Sequence, residues 1–149
     1  MKNNKGFSLV ELIIVIAIMA ILVGVMAPQL IKYIEKTNQA SDVQLCDTVK
    51  TAVTTGYMDP QVAKQGVTIT GGTYDIAGVC TAAGTASTDM QSAVNDILGV
   101  PSTSTADAYM NSKLKSKLGK TGSISVWTDG ATFEVYADAL NGTITTQAK

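Results

Sequence analysis

The sequence predicts an α+β protein: a long N-terminal helical spine, its first half apolar enough to span a membrane, packed against a small domain that ends in a three-stranded antiparallel sheet. Three observations carry this. Leu12 to Ala27 contains no polar or charged side chain. With Phe7, Leu9 and Val10 the greasy stretch covers about 22 residues, roughly 33 Å as helix, enough to cross a bilayer. Beyond Pro28, Val43, Cys46, Val49, Val53 and Tyr57 recur at three- and four-residue steps, the period of a helix with one buried face. Towards the C-terminus, three β-rich runs are separated by Asp129-Gly130 and by a turn ending in Asn141-Gly142, dipeptides that favour tight hairpins.

The first element must be weighed as a signal as well as a helix. Lys2 and Lys5 give it a basic start. An ordinary secretory signal has an apolar core of about 7–15 residues and a cut after it. Here the apolar run is longer, and the small-residue triplet Val25-Met26-Ala27 is followed by Pro28, which fits a peptidase site poorly. A plain uncleaved anchor, basic residues held inside the cell, explains the lysines and the hydropathy. It leaves Glu11 unexplained, because a carboxylate within a membrane segment costs about 2–3 kcal/mol or more and asks for a partner.

A third reading places the cut before the apolar run, between Gly6 and Phe7. The residues Gly6-Phe7-Ser8-Leu9-Val10-Glu11 resemble the class III signal of type IV pilins and the related pseudopilins. The resemblance rests on a short basic leader, the glycine and phenylalanine, a glutamate five places after the cut, and an uninterrupted apolar helix. It implies that a membrane prepilin peptidase cleaves after Gly6 on the cytoplasmic side and methylates the new amine of Phe7. It further implies a leader over 1–6, a transmembrane and filament-core helix over 7–28, an amphipathic half-spine over 29–55 and a globular head over 56–149. The partners it implies are further copies of the chain, the prepilin peptidase, and the assembly ATPase and platform proteins. The subunit would sit as a single-pass protein in the cytoplasmic membrane before assembly and in a cell-surface pilus afterwards.

Elementary electrostatics agrees. Phe7 and Glu11 stand at i and i+4, so cleavage would put an ammonium and a carboxylate on one helix face, one turn apart. A carboxylate in the first turn also meets the positive end of the helix dipole. If helices stack with an axial offset, Glu11 of an incoming subunit can pair with the Phe7 amine of a neighbour, turning a penalty in the monomer into a register signal in the polymer. Glu11 and Phe7 are therefore the assembly candidates; an internal Glu11–Phe7 pair, or a protonated Glu11, is the plainer alternative. Gly24 and Pro28 interrupt the helix pattern, since proline removes a backbone hydrogen bond and kinks or loosens the helix.

Within the head, Val67-Thr68-Ile69-Thr70 and Thr73-Tyr74-Asp75-Ile76 around Gly71-Gly72 suggest a short hairpin. Thr88 to Gln91 fits a capping box, opening a helix with Met90, Ala93, Val94, Ile97 and Leu98 on one face and a stop at Gly99. A second helix is expected from Thr105 to Leu118, with Lys113, Lys115 and Lys117 in its final turns, where cations suit the dipole. These lysines form the only basic cluster. It is either a solvated helix end or a site for DNA or anionic lipid. The three predicted strands are Ser123 to Thr128, Ala131 to Ala137 and Thr143 to Gln147. Ile124, Val126, Phe133 and Val135 would face the spine, and Trp127 and Tyr136 fall on the other parity.

Composition narrows the chemistry. All eleven basic residues are lysines, set against twelve acidic ones, and the chain has neither histidine nor arginine. The commonest general acid–base, the commonest metal ligand and the usual bidentate phosphate clamp are thus missing. A net charge of −1 argues against generic nucleic-acid binding, and no catalytic motif occurs. Neither an enzyme nor a cofactor or metal is expected. Asp129 and Asp138 are weak calcium candidates, both at turns where aspartate is usual. Cys46 and Cys80 are either two buried thiols or, in an exported domain, a disulfide. The missing arginine and histidine, with asparagine and isoleucine common near the start, point to a low-GC, Gram-positive source. The expected function is a major pilin; a pseudopilin of a secretion or competence system, or a minor pilin, is the alternative. The filament's task, whether twitching, adhesion, DNA uptake or secretion, is not specified by these residues.

Overall fold

The computed structural model describes residues 8–117, 119 and 122–137. The chain divides into two compact units, residues 1–36 and 37–149, and helix α1 (Leu9–Tyr57) contributes to both.

From Leu12 to Ala27, within the first unit, α1 is apolar on every side. Its large side chains from Leu9 to Ile34 are all at least half exposed, and no other helix among the described residues is long and apolar enough to cross a membrane. Helical assignment runs through Gly24 and Pro28 without a break. Pro28 lacks an N–H, so the Gly24 carbonyl four residues earlier loses its usual intrahelical donor.

In the second unit α1 supplies Asp42, Cys46, Val49, Ala52, Val53 and Gly56 to the interior. The period is the predicted one, with one correction. Asp42, which periodicity alone leaves out of the apolar stripe, is 1% exposed, while Val43 is only half-buried. The carboxylate is accommodated because Lys115 and Ser116 donate their backbone N–H groups to its two oxygens at 2.8 and 2.9 Å, which replaces the lost hydration. At Gly56 a Cβ would stand 2.7 Å from Val94 Cγ2; the missing side chain lets the helix that carries Val94 lie directly on the spine.

The head continues with α2 (Pro60–Ala63), β1 (Gly72–Tyr74), α3 (Ile76–Thr81), a 3-10 turn (Gly84–Ala86), α4 (Ser87–Leu98), α5 (Ala106–Asn111), β2 (Ile124–Asp129) and β3 (Thr132–Ala137). The sheet has order β1-β2-β3 and is antiparallel throughout. β2 and β3 are the predicted hairpin, within a residue at each end, turning at Gly130 with φ +76°. Its inner face, Val126 and Thr128 opposite Val135 and Phe133, is buried, and Tyr57 of α1 meets the Phe133 ring edge-on at 5.4 Å. Trp127, on the outer face, is 38% exposed.

The sheet's remaining described strand differs from expectation. It is β1, pairing with β2 from Gly72↔Thr128 to Tyr74↔Val126, whereas the strand expected at Thr143 to Gln147, its Asn141-Gly142 turn and Asp138 lie outside the described residues. The hairpin expected around Gly71-Gly72 does not form. Gly72 to Tyr74 stay extended but pair with β2 instead, and Asp75 then caps α3, accepting the Gly78 N–H at 2.6 Å, so the chain turns to helix from Ile76.

Two helix ends also depart from expectation. α4 ends as predicted at Gly99, φ +63°, but it starts at Ser87 directly out of the 3-10 turn and has no side-chain cap; the expected capping box at Thr88 is not used. Its Ile97 is 45% exposed rather than on the packed face. α5 starts one residue after the expected Thr105, which caps it by accepting the Ala108 N–H at 3.3 Å, yet stops at Asn111. The Lys115 and Ser116 amides go to Asp42, and Asn111 Oδ1 accepts the Ile124 N–H. Lys113, Lys115 and Lys117 therefore follow the helix rather than close it.

Candidate assembly site

Serine and glutamate three places apart can close a helix start reciprocally, and Ser8-Leu9-Val10-Glu11 is such a sequence. In the structure Glu11 sits in the first turn of α1 and accepts the Ser8 backbone N–H at 2.9 Å, while the Ser8 carbonyl accepts from Leu12. The carboxylate thus satisfies a helix-start donor and faces the positive end of the dipole. Sequence reasoning singled out Glu11 for its charge but missed this cap, although the four-residue spacing carried it. Gly6, Phe7 and the leader lie outside the described residues, so the geometry places Glu11 against Ser8 and is silent on Phe7.

Behind Glu11 the uninterrupted apolar surface, Leu12 to Ala27, extends over about four and a half turns of helix. Val23, Met26, Ala27, Leu30 and Tyr33, with Gln29, line a largely apolar hollow along the helix, and a Cβ at Gly24 would meet nothing within 4 Å. From Leu12 to Ala27 the surface has no side chain to hydrogen-bond and a great deal to bury. Its chemistry suits lipid or other apolar helices.

The cysteines are free thiols within the head core and are not joined to each other. Burial, then the charges of Asp42 and Asp47, push the Cys46 thiol up to about 11. Burial, then Asp107 and Asp75, push Cys80 up to about 12. Neither is a reactive or ligating thiolate at neutral pH. Asp129 ends β2 at the hairpin turn, and no group of three or more potential metal ligands occurs among the described residues.

Two features of the head were not legible as sites. Asp42, just described, ties the segment after α5 to the spine. Asp107 of α5 accepts the Ile76 and Ala77 N–H groups of α3 at 2.7 and 3.1 Å, so one carboxylate caps a helix from another element. In both, the partners are far apart in the chain, which no local spacing signals.

Residues 1–27 match a family model described as the prokaryotic N-terminal methylation motif. Fimbrial protein Q of Moraxella bovis is 37% identical to the chain over 95 residues, 64% of this chain and 60% of that protein. The chain thus spans about three fifths of the length of the curated relative it matches, and the comparisons lend no support to a Gram-positive source. No solved structure matches the chain.

Proposed function

We propose that the chain is a structural subunit of a type IV pilus, cleaved between Gly6 and Phe7, methylated on the new Phe7 amine, and polymerised through α1. The observation that carries this reading is the methylation motif over residues 1–27, followed by an apolar helix whose first turn holds Glu11. The likeness to a fimbrial protein supports the same conclusion.

The chain's own residues account for each stage. Before assembly, the apolar half of α1 holds the subunit in the cytoplasmic membrane, with Lys2 and Lys5 on the cytoplasmic side. There Glu11 rests on the Ser8 amide. During assembly a methylated Phe7 ammonium of a neighbouring copy offers Glu11 a full positive charge, a stronger partner than a neutral amide. Burial of the apolar surface among other helices holds the polymer together. Gly24 and Pro28 form the weak point of the spine, where the helix can loosen to fit its neighbours. Peptidase, ATPase and platform proteins act on the chain from outside. The head supplies a surface rather than an active site.

Mass spectrometry of filaments sheared from producing cells tests the reading. The dominant chain should begin at Phe7 and carry one extra methyl group. Absence of the processed chain from filaments, with the chain retained in the membrane, would replace this reading with a pseudopilin of a secretion or competence system.

A further inference from the structure

The segment that Asp42 ties to the spine forms one wall of an open groove of about 600 Å³. Asn38, Ser41, Gln44 and Thr48, at helical spacing on α1, line the other wall, and Lys113 and Lys115 stand along the tied segment. Lys113 is held at its ammonium and Lys115 at its backbone. The Lys113 ammonium lies 4.1 Å from the centre of the Tyr109 ring, and the Lys115 backbone is bonded to Asp42. Fixing their positions in advance lowers the entropy lost when a partner binds. The groove sets two cationic side chains among polar ones and the apolar Leu45 and Leu114, so it suits carboxylates presented on a firm scaffold that also bears apolar surface.

The head carries such a scaffold on α4. Asp89, Ser92 and Asp96, at steps of three and four, form an exposed stripe along that helix. Gln65 holds Asp89 at 2.8 Å, and Ile97, 45% exposed, flanks the stripe with apolar surface. The two acids are seven residues apart, about 10 Å along the helix. A basic groove and an acidic ridge on one chain, neither spent on an internal ion pair among the described residues, are complementary between two copies.

We propose that the Lys113–Lys115 groove of one copy receives the Asp89–Asp96 ridge of α4 from a second copy, as a head-to-head contact. The inference rests on the self-assembling subunit of the previous subsection and adds a charged contact between heads to the apolar contact between spines. Such a contact joins different patches, so it propagates along a polymer rather than closing into a two-fold dimer.

The test uses the full-length chain in a producing host, with sheared filaments quantified. Lys113→Glu with Lys115→Glu should lower filament yield about tenfold, and Asp89→Lys with Asp96→Lys should do the same, because like charges then face each other. All four changes together should restore it. Unchanged yield in either pair, or no recovery in the fourfold variant, would overturn the proposal. Thermal unfolding in detergent separates loss of assembly from loss of fold; where a reversal unfolds the head, Lys→Gln and Asp→Asn replace it. Anionic vesicles are a further arm: lysine reversal that abolishes vesicle binding, without reciprocal rescue by the aspartate changes, would assign the groove to lipid instead. A second readout does not need filaments. Co-expressed copies, one Lys113→Cys and the other Asp96→Cys, should crosslink in the membrane. Wild type without filaments but with this crosslink would remove the pilus reading and keep the contact, while filaments without the crosslink would do the reverse.

Discussion

Asp42 on the spine and Ser116 in the segment after α5 meet at 2.9 Å, 74 residues apart in sequence and both sealed from solvent. The same carboxylate takes the Lys115 amide, and the Ser116 hydroxyl accepts the Gly119 N–H at 2.8 Å. A buried carboxylate with two good donors is tolerable; its donors without the carboxylate are not. Asp42→Ala should therefore destabilise the head by about 2–4 kcal/mol, because the buried Ser116 N–H and the partly buried Lys115 N–H lose their acceptor. Asp42→Asn keeps one acceptor oxygen and should cost about half as much. Urea unfolding of the detergent-solubilised chain, followed by tryptophan fluorescence from Trp127, reads both.

Gly119 adds a steric test of the same cluster. A Cβ there would run into Asp42 Oδ2 and would stand 2.9 Å from Ser116 Oγ. Gly119→Ala should cost about 1–3 kcal/mol by overpacking. Combined with Asp42→Ala, its cost should shrink, since the clashing oxygen is gone, and a double-mutant cycle measures that coupling.

How far the sequence announced this architecture depends on the range of the interactions involved. The stripe Cys46, Val49, Val53 and the Asp129-Gly130 hairpin were legible because period and turn chemistry are local. Asp42 was misplaced off the stripe because its partners are more than 70 residues away, and the end of α5 was overrun for the same reason. The Gly71-Gly72 hairpin failed because Gly72 to Tyr74 pair with β2, more than 50 residues on, instead of with residues 67–70, and Asp75 then caps α3. At the assembly site Glu11 was legible from its charge in an apolar run. The cap at Ser8 was equally legible from its spacing, since both of its partners lie within one turn of helix.

Asp107 gives a matched comparison with Asp75. Both serve the start of α3, but Asp75 satisfies one amide from its own chain neighbour, and Asp107 satisfies two from another helix. Asp75→Ala should cost about 1 kcal/mol, the usual value for a lost cap. Asp107→Ala should cost about 2–3 kcal/mol, because it also detaches α5 from α3. Equal costs in urea unfolding would mean that the second amide contributes nothing.

The thiols set a pH dependence. Cys46 and Cys80 lose their protons near 9 when unfolded and near 11 and 12 when folded. The folded state holds the protons more tightly, so this stabilisation is complete below pH 9 and is lost as pH rises towards 11 and 12. The readout is a difference: the unfolding midpoint of the native chain should fall more steeply between about pH 9 and 11 than that of Cys46→Ala with Cys80→Ala. Parallel curves would refute the assignment. A thiol reagent at about pH 8 should label neither cysteine until urea unfolds the head.

Pro28 and Gly24 are coupled through one missing hydrogen bond, since the carbonyl of Gly24 is the acceptor that an N–H at position 28 would have used. Pro28→Ala should restore that bond and remove the ring's pressure on the preceding turn, strengthening the helix locally by up to about 3 kcal/mol. Gly24→Ala should add about 1 kcal/mol more, because a Cβ there meets nothing within 4 Å. Hydrogen exchange of residues 24–32 in detergent micelles should slow accordingly. If a loosened spine is needed for packing, filament yield should fall while this segment gains protection. A variant that exchanges more slowly and still assembles at the native level would show that the weak point at Pro28 serves no purpose in the polymer.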